Sequence, residues 1–246
     1  MAGHSHAANI KHKKANIDAK RSKVWSKLSK AIIVAARLGG GDPAMNARLR
    51  NAVADARAVS MPRDNIERAI KKGIGELDGG DVEETLYEGY GPAGVAVMCD
   101  IMTDNKNRTA PEIRKIFELA GGKLGSTNCV AYLFERKGII AVKSGQTPED
   151  RLMEIALNLG AEDIQIHGDT VEIVTLPENF SEVAEGLEQA GVTIDMKQIM
   201  RIPATTVELD AETAKAVLKL LENLEDHDDV QSVSTNLRLT AEVLSE

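Results

Sequence analysis

Apolar residues recur at helical spacing from Asp18 onward, with Val24, Trp25, Leu28, Ala31, Ile32, Ala35 and Leu38 on one face. Gly39, Gly40 and Gly41 stop that helix, because glycine supplies a left-handed cap. Asp42-Pro43 predicts a second helix, an N-cap side chain followed by Pro at the first helical position, with Met45, Leu49, Ala52, Val53 and Ala56 as its stripe. Pro62 opens a third, which turns Ile66, Ala69 and Ile70 inward and ends at Gly73 and Gly75. Residues 18–75 therefore predict a three-helix unit, and Gly75 to Asp81 a Gly- and acid-rich linker. The first 18 residues, through Asp18, are small, polar and basic, the composition of a flexible arm.

Beyond the linker the period changes to that of strands. Thr85 to Tyr90 and Val95 to Met102 read as strands joined at Gly91-Pro92-Ala93-Gly94, Glu112 to Ala120 as a helix, and Val130 to Phe134 as a strand. Then comes Ile139 to Val142 (strand), Pro148 to Leu159 (helix), Asp163 to His167 and Thr170 to Val174 (strands), Phe180 to Ala190 (helix) and Val192 to Met200 (strand). That β-α-β-β-α-β order is the split, ferredoxin-like unit. After Pro203 a strand at Thr206 to Leu209, a helix at Ala211 to Asn223 and a strand at Val230 to Ser234 remain, too few to stand alone. The fold class is α+β: an N-terminal three-helix domain (1–77) and two ferredoxin-like α/β domains. One of these is discontinuous (82–135 plus 204–246), and the other (138–201) is inserted in it.

The 246 residues are 43% hydrophobic and 28% charged, an ordinary globular mixture, and aromatics are only 3%, so the core must be aliphatic. No apolar run approaches the ~20 residues of a membrane span, and no apolar segment follows the basic start as a secretory signal would require. Cys99 and Cys129 form no disulfide framework, which points to a reduced, cytoplasmic setting. Charge changes the picture more. Residues 1–75 hold 16 Lys or Arg against 5 Asp or Glu, while the remainder holds 14 against 33. A basic head on an acidic body suits a head that meets a polyanion. The alternative is two solvated surfaces of opposite sign, attracted to one another.

Several motifs resemble catalytic or cofactor sites without the context those sites need. Gly89-Tyr90-Gly91-Pro92-Ala93-Gly94 matches G-x-G-x-x-G, but a strand follows where a dinucleotide site needs a helix. Gly122-Lys123 lacks both the leading Gly and the Ser/Thr of a phosphate loop. Lys137 to Val142 echoes an RNA-recognition strand with every stacking aromatic missing. Glu225-Asp226-His227-Asp228-Asp229 has hard-metal ligands, but consecutive side chains point apart, and a solvated helix-to-strand turn fits better, with protein contact second. His4, His6 and His12 sit in the arm, which offers no fixed geometry for a metal. No nucleophile-base constellation can be assembled. The expectation is no enzyme, no cofactor and no metal.

The strongest signal is basic. Residues 1–30 carry Lys11, Lys13, Lys14, Lys20, Arg21, Lys23, Lys27 and Lys30 against Asp18 alone. Lys20, Lys23, Lys27 and Lys30 fall within an arc of about 80° beside the apolar stripe, available to neutralise phosphates. Arg48, Arg50, Arg57, Arg63, Arg68, Lys71 and Lys72 extend the charge over the other two helices. The candidate nucleic-acid contacts are Lys11, Lys13, Lys14, Lys20, Arg21, Lys23, Lys27, Lys30, Arg63, Arg68, Lys71 and Lys72.

The chain also resembles a known family. The opening MAGHS…ANIKHKK…DAKRSK, the segment Met61 to Ile70 (MPRDNIERAI), Glu88-Gly89-Tyr90-Gly91-Pro92, Thr103 to Thr109 (TDNKNRT), Ala131-Tyr132-Leu133-Phe134 and Leu224 to Gln231 (LEDHDDVQ) are similar, in order, to the YebC/PmpR family. His6-Ala7 and Asn128-Cys129 depart from its usual Lys-Trp and Gly-Ser. The resemblance implies a helical first domain, two α/β domains and a bacterial-type cytoplasmic regulator. Some members are described as DNA-binding transcriptional regulators, others as translation factors at the ribosome. The combined expectation is a non-enzymatic regulator. It would bind DNA, or alternatively ribosomal RNA, through its basic head, and meet the ribosome or other proteins through its acidic domains.

Overall fold

The computed structural model describes residues 21–238. The described chain divides into two compact units, 21–129 with 217–233 and 130–216 with 234–238.

The first unit opens with three helices, α1 (Arg21–Gly39), α2 (Ala47–Ala58) and α3 (Arg63–Gly73). Ile32, Ile33, Leu49, Val53, Met61 and Ile66 form their common core, which extends to Val82, just before the adjoining sheet, and to Met102 within it. Trp25 packs at its edge and donates from Nε1 to the Val59 carbonyl at 3.3 Å. The second helix begins later than Asp42-Pro43 suggests. Asp42 caps a turn instead, accepting from the Ala44 amide at 2.9 Å. The buried side chain of Asn46 caps α2, accepting from the Leu49 amide, and its amide group donates to the Ala35 and Gly40 carbonyls at the end of α1. Met45, expected in the stripe, therefore lies in the turn and is 84% exposed.

The first sheet has the order β3-β1-β2-β8. Strands β1 (Glu83–Tyr90) and β2 (Ala96–Thr103) form an antiparallel hairpin with Glu83 opposite Thr103 and Tyr90 opposite Ala96. Helix α4 (Lys106–Leu119) follows, then the two-residue strand β3 (Lys123–Leu124), which pairs with the end of β1. The sequence pattern starts α4 at Glu112. The structure starts it six residues earlier, because the Asn105 side chain accepts from the Arg108 amide and caps it there. After the excursion through the second unit, β8 (Val230–Thr235) returns beside β2, with the Met102 amide donating to the Asp229 carbonyl at 2.9 Å. The helix before it, α7 (Ala211–Glu225), buries Val217, Leu220 and Leu224.

The G-x-G-x-x-G stretch is a turn. Pro92–Gly94 make a single 3₁₀ turn between β1 and β2, and Gly94 has φ +77, a left-handed conformation that glycine adopts freely. Gly89 answers a packing need: a Cβ there would lie 2.6 Å from the Lys123 carbonyl oxygen and 2.8 Å from the Phe117 ring.

The second unit holds a sheet of order β5-β6-β4-β7, the ferredoxin-like order. Its strands are β4 (Phe134–Lys143), β5 (Ala161–His167), β6 (Thr170–Thr175) and β7 (Ile194–Pro203), with helices α5 (Glu149–Asn158) and α6 (Phe180–Gln189). Ile140, Val142, Val171 and Ile173 of the sheet pack with Leu152, Val183 and Leu187 of the helices. The strand expected at 130–134 is instead a 3₁₀ turn, Ala131–Leu133, and β4 runs unbroken from Phe134, opposite Pro203 of β7. The strand expected at 206–209 shrinks to one parallel bridge, Val207 with Leu237. No described helix is long and apolar enough to cross a membrane.

Candidate nucleic-acid interface

The twelve candidate contacts fall into three groups. Lys11, Lys13, Lys14 and Lys20 lie outside the described residues, and Arg21 opens α1. Lys23, Lys27 and Lys30 belong to a cluster of their own chain. Arg63, Arg68 and Lys71 are exposed on α3, and Lys72 is half-buried.

The available lysine stripe expected on α1 needs correction. Lys23 pairs with Asp226 at 2.9 Å and also donates to its carbonyl at 3.0 Å. Lys27 donates to the Glu225 carbonyl. Lys30 donates to the Asp228 carbonyl at 3.1 Å and pairs with the Asp229 carboxylate. Three ammonium groups, one helical turn apart, thus meet the carbonyls at and just beyond the end of α7, where the helix dipole is negative and the carbonyls lack helical partners. Burial pushes the Lys27 ammonium below its ordinary pKa, and the charges of Glu225, Asp228 and Asp226 oppose that shift.

Asp229 is the hub. Its side chain is 2% exposed. One oxygen accepts from Lys30, and the other from Thr109 at 2.6 Å, Arg108 at 3.0 Å and Thr103 at 3.2 Å. Burial alone would raise its pKa, but the hydrogen bonds from Lys30, Thr109 and Arg108 outweigh it and hold the carboxyl well below the usual range. Glu112, His227 and Asp229 also bring one ligand atom each within 4.8 Å. That trio suits its internal bonds better than a cation. His227 Nδ1 accepts from the Asp229 amide at 3.1 Å, so Nε2 carries the proton that meets Glu112 at 2.9 Å. Both oxygens of Asp229 are already engaged by donors.

Exposed cations also stand on α2 and α3. Between Ala47 and Gly73 the chain has seven Lys or Arg and three Asp or Glu. Arg48 pairs with Glu84, and Arg63 with Glu67 at 2.7 Å. Arg50 donates to the Pro43 and Ala44 carbonyls. Among the described residues no ion pair engages Arg57, Arg68 or Lys71, and all three are exposed. Between α2 and α3 lies an open cavity of about 280 Å³ lined by Pro43, Val53, Arg57, Met61, Arg63, Ile66, Glu67 and Ile70. The sequence pattern sets Arg50 and Arg57 among the basic residues but not among the candidate contacts, and it does not single out Asp229 as a hub. The signal for the second was available in the opposite charges of the 225–229 run and the α1 stripe.

A basic helical domain ahead of two four-stranded sheets defines an α+β protein. The profile described as "TACO1/YebC protein N-terminal domain" matches residues 5–76, and "TACO1/YebC second and third domain" matches 82–237. The chain belongs to the TACO1/YebC family. It is 56% identical over 247 residues to a "Probable transcriptional regulatory protein" of Rhodopirellula baltica, covering 100% of both chains. A relative of the same description from Aquifex aeolicus is 54% identical, over 99% of this chain and 98% of that one. The crystal structure of a conserved hypothetical protein from Aquifex aeolicus superposes with a TM-score of 0.86 at 52% identity, covering 98% of this chain and 100% of that one.

Proposed function

We propose that this protein is a non-enzymatic regulator that binds nucleic acid through its helical domain, with duplex DNA and transcription as its field of action. The observation that supports this reading is the exposed arginine face of α2 and α3, where Arg57, Arg68 and Lys71 have no ion-pair partner among the described residues. Phosphates are neutralised by such cations with release of counterions, which yields affinity with little sequence information. The relatives described as probable transcriptional regulatory proteins favour transcription. In this reading the α1 lysines fasten the helices to the 225–229 loop, and the acidic second unit recruits proteins. Crosslinking in cells, followed by sequencing of both DNA and RNA, tests the assignment. Enrichment at promoters is the expected result. Recovery of discrete ribosomal RNA sites without promoter enrichment would replace transcription with translation.

A further inference from the structure

The cavity between α2 and α3 combines two features that a plain phosphate-binding face does not need. Its apolar lining is Val53, Met61, Ile66 and Ile70, and exposed Arg57 and Arg63 stand beside it. We propose that this groove receives one unstacked nucleobase of a bound strand, while Arg57 and Lys71 hold the flanking phosphates. The inference rests on the nucleic-acid reading above and adds one feature to the bound duplex: a single nucleotide that is unpaired and lies outside the stack.

The size fits. A volume of about 280 Å³ lies at the small end of ligand clefts, room for one heterocycle but not for a helix laid lengthwise. The chemistry fits as well. A base has apolar faces and a polar edge. An aliphatic lining takes the face, and guanidinium planes stack on or hydrogen-bond to the ring. Arg63 is held by Glu67 at 2.7 Å, which orients its guanidinium beside the opening. Arg50 ties down Pro43, another lining residue, through the Pro43 carbonyl at 3.1 Å. Arg50, Val53 and Arg57 follow one another along one side of α2, within about 60° at 100° per residue. Cations therefore continue past the groove, a repeat that matches a chain of phosphates better than a single acidic side chain.

The test uses the full-length protein and four oligonucleotides, a paired DNA duplex, a paired RNA duplex, and each with one extra unpaired 2-aminopurine. The expected result is about tenfold tighter binding of a bulged form than of its paired parent, from the burial of one base. The arm that shows the larger preference identifies DNA or RNA. Bound 2-aminopurine should also be shielded from acrylamide quenching, a readout that needs no variant. Ile70→Phe, which fills the groove, should abolish the preference while leaving the affinity for paired duplex. Equal affinity for paired and bulged forms, with the base still quenchable, overturns the groove proposal and leaves the nucleic-acid reading intact. Failure to bind any of the four overturns both. Tighter binding of a labelled acidic peptide carrying one leucine than of any oligonucleotide overturns the proposal in favour of a protein partner.

Discussion

Removing the Asp229 carboxylate should loosen the fastening of α1 more than any other single change in the cluster. Asp229→Ala deletes the acceptor for Lys30, Arg108, Thr103 and Thr109 at once. Breaking a buried ion pair by deleting one member costs about 3–5 kcal/mol, because the other charge stays desolvated. The partners here differ. The Lys30 side chain is 17% exposed and loses most of its compensation, whereas that of Arg108 is 46% exposed and can turn to water. The lower end, about 3 kcal/mol, is therefore expected, a large share of the 5–15 kcal/mol that holds a typical domain. Trp25, the single tryptophan, sits on the same helix as the three lysines and reports the transition by fluorescence during urea unfolding. The expected outcome is a lower midpoint with an unchanged slope. A loss within the ~0.5 kcal/mol of an ordinary surface substitution would refute the hub as a stabilising element.

Other outcomes follow from the same geometry. Because the folded pKa of Asp229 lies below its unfolded value of about 3.9, its contribution is complete above that value and is lost as pH falls below it. Acid titration of stability should show that loss in the wild type and a shallower one in Asp229→Asn. Gly94→Ala should cost about 1 kcal/mol in thermal or urea unfolding for its left-handed φ. Gly89→Ala should cost more, about 1–3 kcal/mol, because its Cβ meets the Phe117 ring and the Lys123 carbonyl. Ending the chain at Pro203 removes Leu220, Leu224 and strand β8 from the first unit, and amide exchange should show β1 and β2 unprotected. Native-like protection there would show that the returning segment is dispensable.

Elements with a clear period were legible. The helices of the head, the β1–β2 hairpin and the whole β-α-β-β-α-β run follow from apolar spacing and turn residues. Boundaries set by a single polar side chain were not. Asn46 and Asn105 start α2 and α4 by capping amides three residues ahead, and many other Asn, Asp or Ser residues could have done the same. Strand β3 has two residues and no period to read. At the candidate site, local composition showed that Lys23, Lys27 and Lys30 share a face, but their partners lie about two hundred positions away, a pairing no local pattern encodes. Charge complementarity between the two runs was the only trace of it. The arginines of α2 and α3 stood out less in sequence because acids are interspersed with them. Only the structure shows that Arg63 is paired while, among the described residues, no ion pair engages Arg57 or Arg68.

The claim that the outward arginine face carries the polyanion contact is tested most directly by the salt dependence of DNA binding. Each phosphate contact contributes about −0.9 to the slope of log affinity against log salt on duplex DNA. The measurement is fluorescence anisotropy of a labelled duplex from low to moderate salt, for the wild type and for Arg57→Gln/Arg68→Gln/Lys71→Gln. All three positions are exposed, so the fold should persist, as a melting curve would check. The account predicts a slope shallower by about 2 to 3 in the triple variant. An unchanged slope, with binding intact, would contradict it and return the contact to other cations of the chain.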